Sequence, residues 1–201
     1  MSFDYYKNIS EVMQEFQITA IEAEFIIESK IEVRSVFQED LEFCLREFSF
    51  EESEYGVCEM IIFPILKELY RRYRNQFTLW SHKAIIYDEK LSGTPDYILA
   101  QRSTLGKQVF EKPYFLVVEA KKDDFIKGWG QCLAEMVAMQ KINNQPSQTL
   151  FGVVSNGKIW EFGKLNHNLF TKDTRYYTIS DIEKLLSALD YIFYQCEQQQ
   201  I

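Results

Sequence analysis

The chain has 201 residues, 46% of them hydrophobic and 15% aromatic, which excludes an extended disordered segment and supplies one substantial core or a core domain with a helical appendage. Its net charge of −8 argues against a nucleic-acid ligand on totals alone, because phosphate contacts need Lys and Arg. The charge is uneven, however: residues 1–54 hold 14 of the 30 acids and only 4 of the 22 bases, a local charge of −10, which leaves +2 for residues 55–201.

The first fifty residues read as acidic helices. Thr19 and Glu22 have the spacing of a capping box, and Phe37, Leu41, Cys44, Leu45 and Phe48 recur at helical intervals. "FEESEYG" then reads as a connection. "VCEMIIFPILKELYRRYRNQ" follows as an apolar helix whose end is basic, with Pro64 kinking it or marking its true start. The longest apolar run, "MIIFPIL", is far short of the roughly 20 residues that span a bilayer, and the start "MSFDYYKN" has no secretory pattern, so a cytoplasmic location is expected.

From residue 77 the period changes. "FTLWSHKAIIY", "TPDYILAQ" and "PYFLVVEA" are three strand-like runs, and their short connections predict an antiparallel meander. Asp123 or Asp124 then caps a helix over about 125–142, and "TLFGVVS" returns parallel to the third strand. Asn156-Gly157 signals a hairpin into "IWEFGKL", and a last helix opens at the Ser180/Glu183 box, turning Leu185, Leu186, Leu189, Ile192 and Phe193 inward. The expected division is a helical extension over 1–54 and a core domain over 55–201.

The stretch "FLVVEAKKDD" runs a buried strand directly into charge. Residues two apart on a strand share a face, so Glu119 and Lys121 point together while Ala120 points into the core. The "SGTPD" turn brings Asp96 beside Glu119. Two carboxylates and the Ala120 carbonyl would then converge on one spot with an ammonium adjacent, an oxygen-only set suited to Mg²⁺, with Mn²⁺ as its substitute. Without a metal the carboxylates repel, and one must take up a proton or recruit a cation.

Pro95-Asp96, then Glu119-Ala120-Lys121 at the end of an apolar strand, preceded by a helix bearing Glu59 and followed by one bearing Gln131, resemble the PD-(D/E)XK nuclease superfamily. Acid-x-Lys also occurs at Glu28-Ser29-Lys30 and Asp88-Glu89-Lys90, but only the third copy follows both a long apolar strand and an upstream Pro-Asp. The resemblance covers roughly residues 55–165. It implies a restriction-endonuclease-like αβββαβ core in the α/β class, with a mixed sheet flanked by helices, and Mg²⁺-dependent hydrolysis of phosphodiester bonds in DNA or RNA. By the same resemblance Asp96 and Glu119 are metal ligands, Lys121 positions or activates the attacking water, Glu59 holds an additional metal or its waters, and Gln131 lines the site. Many such nucleases act as dimers, so a homodimer is among the expectations. Where some branches carry Tyr four residues after this Gln, the chain has Glu135, and on helix spacing alone the Gln131/Glu135 pair reads as surface chemistry.

Arg71, Arg72 and Arg74 make the best candidate patch for a nucleic-acid backbone, with Lys122 and Lys127 as further phosphate contacts. His82 and His167 belong to no ligand pattern and read as structural or surface residues. Cys44, Cys58, Cys132 and Cys196 are widely spaced without a CxxC pair, which favours reduced packing thiols over a zinc site. The competing function class is a noncatalytic module on the same scaffold. There the acidic helices of residues 1–54 would repel DNA as a lid or dock on a basic protein partner.

Overall fold

The computed structural model describes residues 3–200. In chain order the elements are α1 (Ile9–Phe16), β1 (Thr19–Glu22), α2 (Ser35–Glu47), α3 (Glu54–Val57), α4 (Phe63–Tyr73), β2 (Phe77–Ser81), β3 (Ile85–Ile86), β4 (Ser92–Gly93), β5 (Tyr97–Gln101), β6 (Glu111–Ala120), α5 (Phe125–Asn143), β7 (Leu150–Ser155), β8 (Ile159–Asn166), β9 (Leu169–Thr178) and α6 (Ile182–Glu197). Seven strands form one mixed sheet in the order β1-β9-β8-β7-β6-β5-β2, and β3 pairs only with β4. This is an α/β architecture with helices on both faces of the sheet.

The strand-rich centre follows the reading of the sequence, except that the run 77–87, read as one strand, breaks after Ser81 into β2 and β3. β2, β5 and β6 are an antiparallel meander, with β3 and β4 as a small hairpin in the first connection. α5 crosses over to β7, which runs parallel to β6, and Asp124 is its cap, accepting from the Lys127 amide. The hairpin at Asn156-Gly157 joins β7 to β8, with Gly157 at φ 84°, a left-handed value that glycine takes without strain.

Alternation along the strands assigns the two layers. Leu99, Leu116, Val118 and Ala120 face one core with α4 and α6; Ile98, Val117 and Val154 face the other with α5 and the N-terminal elements. α5 is therefore buried nearly all round. The sheet lies beneath it, and the 3₁₀ turn Phe3–Tyr5 and α1 cover its outer side, with Phe3, Tyr6 and Val12 almost wholly buried.

Three local expectations are corrected. Thr19–Glu22 is not a helix start but strand β1, parallel to β9 at the sheet edge; its amides complete a ladder that a capping box would leave unpaired. The extended segment after it is pinned by the buried Asp173 carboxylate, which accepts from the Phe25 and Ile26 amides. Burial alone would raise the Asp173 pKa, but Arg175 and the amides outweigh it and hold it below the usual carboxylate range. The last helix is capped by Asp181, not Ser180: a 3₁₀ turn over Ile179–Asp181 shifts its start, and Asp181 accepts from the Lys184 amide. Leu45 and Phe48, expected to pack on α2's apolar side, are exposed, while Phe37 and Leu41 are buried.

Pro64 stands in the first turn of α4, one of the two places expected of it. A π turn over Cys58–Ile62 precedes it, and the Phe63 amide reaches back to the Cys58 carbonyl. A wider turn just before the proline accommodates the missing N–H and the ring's demand for space, so α3 and α4 run on through it.

Gly130 sets how closely the N-terminal segment lies on α5. A Cβ there would stand 2.7 Å from the Asn8 amide nitrogen and 3.0 Å from its Cα and carbonyl carbon. In an open helix Gly→Ala gains roughly 1 kcal/mol. Here the sign reverses, because backbone is harder to move than a side-chain end, and Gly130→Ala is expected to cost about 1–3 kcal/mol in urea unfolding. A stabilised variant would show that Asn8 does not rest on α5.

Candidate active site

The site is built by strand register. β2 and β5 end their pairing at Ser81 and Tyr97, and β5 and β6 begin theirs at Tyr97 and Val118. One residue further, His82, Asp96 and Glu119 stand in a row across three strand ends. The His82 amide donates to the Asp96 carbonyl at 2.8 Å, and the Ala120 amide donates to Asp96 Oδ2 at 2.7 Å. Parity with Ile98 and Val117 puts Asp96 and Glu119 on the α5 face, and Lys121, two residues on, shares it. Its Nζ lies 2.8 Å from Glu119 Oε1 and 3.6 Å from Glu54 Oε2 on the first turn of α3. Across the gap stand Gln131 and Glu135 of α5 and Asp4 of the N-terminal turn, and these residues line one cavity of about 420 Å³.

Five carboxylates (Asp4, Glu54, Asp96, Glu119 and Glu135) thus share one cavity with a single lysine and one histidine. Burial pushes the Glu119 carboxyl up to about 7, with the Asp96 charge adding to the rise and Lys121 opposing it. Asp96 is also raised by burial, against the pull of the Ala120 amide and Lys121. Burial would lower Lys121, but the Glu119 charge and hydrogen bond outweigh it, so the amine stays protonated. Glu135, 2% exposed, is raised well above the ordinary carboxylate range by burial and then by Glu119.

Two acceptors in this cavity are unsatisfied: Glu135 Oε2 and Gln131 Oε1 are buried without a hydrogen-bond partner among the described residues. Gln131 uses its other end, donating from Nε2 to Asp4 Oδ1. Burying acceptors without donors costs about 1–3 kcal/mol each, and a proton or a cation meets that need where no protein donor does.

Of the residues singled out from sequence, Asp96, Glu119, Lys121 and Gln131 come together. Ala120 contributes its amide to Asp96, and its side chain is fully buried in the opposite core. Glu59 is exposed and lies outside the cavity; Glu54 on the preceding turn holds the position expected of it. Helix geometry explains the displacement, since five residues is well over one turn and rotates the side chain away. The Gln131/Glu135 pair is not surface chemistry, because the N-terminal turn covers that side of α5.

Arg71, Arg72 and Arg74 do not join the site. Arg71 lies 17 residues beyond Glu54 along a nearly continuous helix, about 26 Å away by helical rise. Arg71 sits 3.5 Å from Glu68, Arg72 pairs with Asp190 at 3.0 Å, and Arg74 donates to the Arg71 carbonyl. Lys122 is exposed and Lys127 half-buried just past the strand end, near the cavity mouth but not in its lining.

His82, Glu54, Glu135 and Asp4 were missed by sequence reasoning. A signal existed for His82: continuing the meander's pairing by one residue places it opposite Asp96. None existed for Asp4, which arrives from 127 residues away in the chain from its partner Gln131. No protein-family model matches the chain, and no curated protein matches it.

The unpaired carboxylate at Glu135 has a measurable sign. Its folded-state pKa lies above the unfolded value, so the native state binds the extra proton and stability falls as pH rises past the ordinary carboxylate range. Glu135→Gln, which carries no charge, is expected to be more stable than the parent by about 1–3 kcal/mol at pH near 8 in chelator. The gap should close toward pH about 4.5. Thermal melts at the two pH values check this, and a variant equally destabilised at both would refute it.

Proposed function

We propose that the protein is a divalent-metal-dependent nuclease that hydrolyses phosphodiester bonds in DNA on a restriction-endonuclease-like αβββαβ core. The observation that carries the reading is the row Asp96–Glu119 across two strand ends with the Lys121 amine 2.8 Å from Glu119, all facing one acidic cavity. The order of elements supports it: a helix, three antiparallel strands, a helix, then a strand parallel to the third.

The residues fit a hard cation. Asp96 and Glu119 offer the one or two carboxylates that Mg²⁺ takes while keeping several of its waters, and Glu54 with the orphaned Glu135 Oε2 and Gln131 Oε1 are acceptors in the same cavity for those waters. When bound, the ion supplies a nucleophilic hydroxide and neutralises charge on the phosphate. Lys121, held protonated by Glu119, is a hydrogen-bond donor and a positive charge toward phosphate oxygens, not a proton acceptor. Glu54, within 3.6 Å of Lys121, aims that amine.

An acidic cavity repels a phosphate backbone until a cation occupies it. DNA binding is therefore expected to require a divalent ion, with affinity in Ca²⁺ well above that in chelator by fluorescence anisotropy. Cleavage of plasmid and oligonucleotide in Mg²⁺ or Mn²⁺ should fall by about 100-fold or more in Asp96→Asn and in Lys121→Ala, while Glu59→Gln stays near the parent. Parent-like nicking by the first two variants would rule the site out, and cleavage confined to RNA oligonucleotides would reassign the substrate. Because Glu119 is pushed up to about 7, its carboxylate becomes free for a cation as pH rises through that value. Apparent Mg²⁺ affinity should accordingly rise between pH about 6 and 8 and then level off, as read by calorimetry.

A further inference from the structure

We propose that Cys58, His82 and Asp96 form a site for a borderline-soft divalent ion of the Zn²⁺ class, different in ligand chemistry from the oxygen-rich side of the same cavity. One ligand atom from each of the three lies within 4.8 Å of the others. His82 Nε2 and Asp96 Oδ1 are 3.3 Å apart. That is roughly the edge of a tetrahedron whose metal bonds are about 2.0–2.1 Å, the usual lengths from zinc to imidazole and carboxylate.

Each ligand is held from behind. Ser81 Oγ engages His82 Nδ1 at 2.8 Å, which fixes the ring and leaves Nε2 to face Asp96. His82 has φ 49°, an uncommon backbone state for a residue with a side chain, and its amide is tied to the Asp96 carbonyl. Asp96 Oδ2 accepts from the Ala120 amide, which turns Oδ1 toward the histidine. Cys58 opens the π turn, a local widening often found where a helix serves a site, and lies one turn beyond Glu54.

The chemistry of the trio excludes Mg²⁺ and suits a softer ion, since thiolate and imidazole select Zn²⁺ and its neighbours. Binding releases the thiol proton, because a coordinated thiol is deprotonated. His82 and Asp96 line the cavity, so the fourth position of a three-ligand ion opens toward water there, the pattern of reactive rather than structural zinc sites. Asp96 serves both halves, and an ion at Cys58 and His82 therefore draws a carboxylate away from a hard cation at Glu119.

The test uses Co²⁺ as a spectroscopic stand-in, titrated into the reduced full chain. One equivalent should develop thiolate-to-metal charge-transfer absorption with tetrahedral ligand-field bands, and Zn²⁺ should abolish both. Cys58→Ser should lose the charge-transfer absorption, and His82→Asn, which tolerates the left-handed backbone, should bind at least about tenfold more weakly. Cys44→Ser and Glu119→Gln should retain the band, the latter even where Mg²⁺-dependent cleavage is gone, which separates this inference from the nuclease reading. Absence of the charge-transfer band in the parent, its survival in a folded Cys58→Ser protein, or its loss in Glu119→Gln would overturn the proposal.

Discussion

Two carboxylates facing each other across adjacent strand ends are the constraint around which this protein is arranged. The register of β5 on β6 sets Asp96 opposite Glu119, and the cover of α5 removes the water that would otherwise screen them. Like charges so placed are stable only with compensation. The protein supplies part of it: the Lys121 amine on Glu119, the Ala120 amide and the His82 ring on Asp96. It then adds Glu135, Glu54 and Asp4 to the same cavity, so compensation by the chain's own groups falls short, and the protonated forms of Glu119 and Glu135 are favoured.

The acidic N-terminal quarter is part of this arrangement and not an appendage to it. β1 extends the main sheet beyond β9, the following segment is tied down by Asp173, and α1 with the Phe3–Tyr5 turn forms the outer cover of α5. Phe3 seats so closely on Gly93 that a Cβ there would stand 2.4 Å from its ring, next to the turn that carries Asp96. The same segment that dries the cavity also delivers a carboxylate to Gln131. A lid that swings free of a completed core would have to give up that burial and a strand of the sheet. The excess negative charge of residues 1–54 thus lies partly at the cavity wall, where Asp4 and Glu54 add to the repulsion among the carboxylates.

The cavity has two chemical sides joined at Asp96. Toward Glu119, Glu135 and Gln131 the donors are oxygens. Toward Cys58 and His82 they are sulfur and nitrogen. Both arise from one topological fact: the ends of β2, β5 and β6 meet the start of α3 and the middle of α5 at a single corner of the sheet. Strand ends and helices contribute to both sets: Glu119 stands with Gln131 and Glu135 of α5, and His82 stands with Cys58 of the π turn that follows α3.

What the sequence determined by itself was periodic and local. The two-residue alternation of the strands, the helical spacing of α4 and α6, the Asp124 cap and the Asn156-Gly157 turn all follow from residue type over short spans, and so did the pairing of Asp96 with Glu119 and Lys121. Tertiary structure decided whatever depends on a distant partner. Thr19 and Glu22 have the letters of a helix start, yet β9's open edge makes them a strand. Glu135 has the spacing of a surface residue, yet the N-terminal turn buries it. Glu54 rather than Glu59 faces the site because helix phase is set by packing on the sheet, and His82 belongs to it because a third strand lines up beside the other two. Local rules fix the backbone's repeat, whereas burial and charge at a given side chain are set by whatever the rest of the chain lays against it.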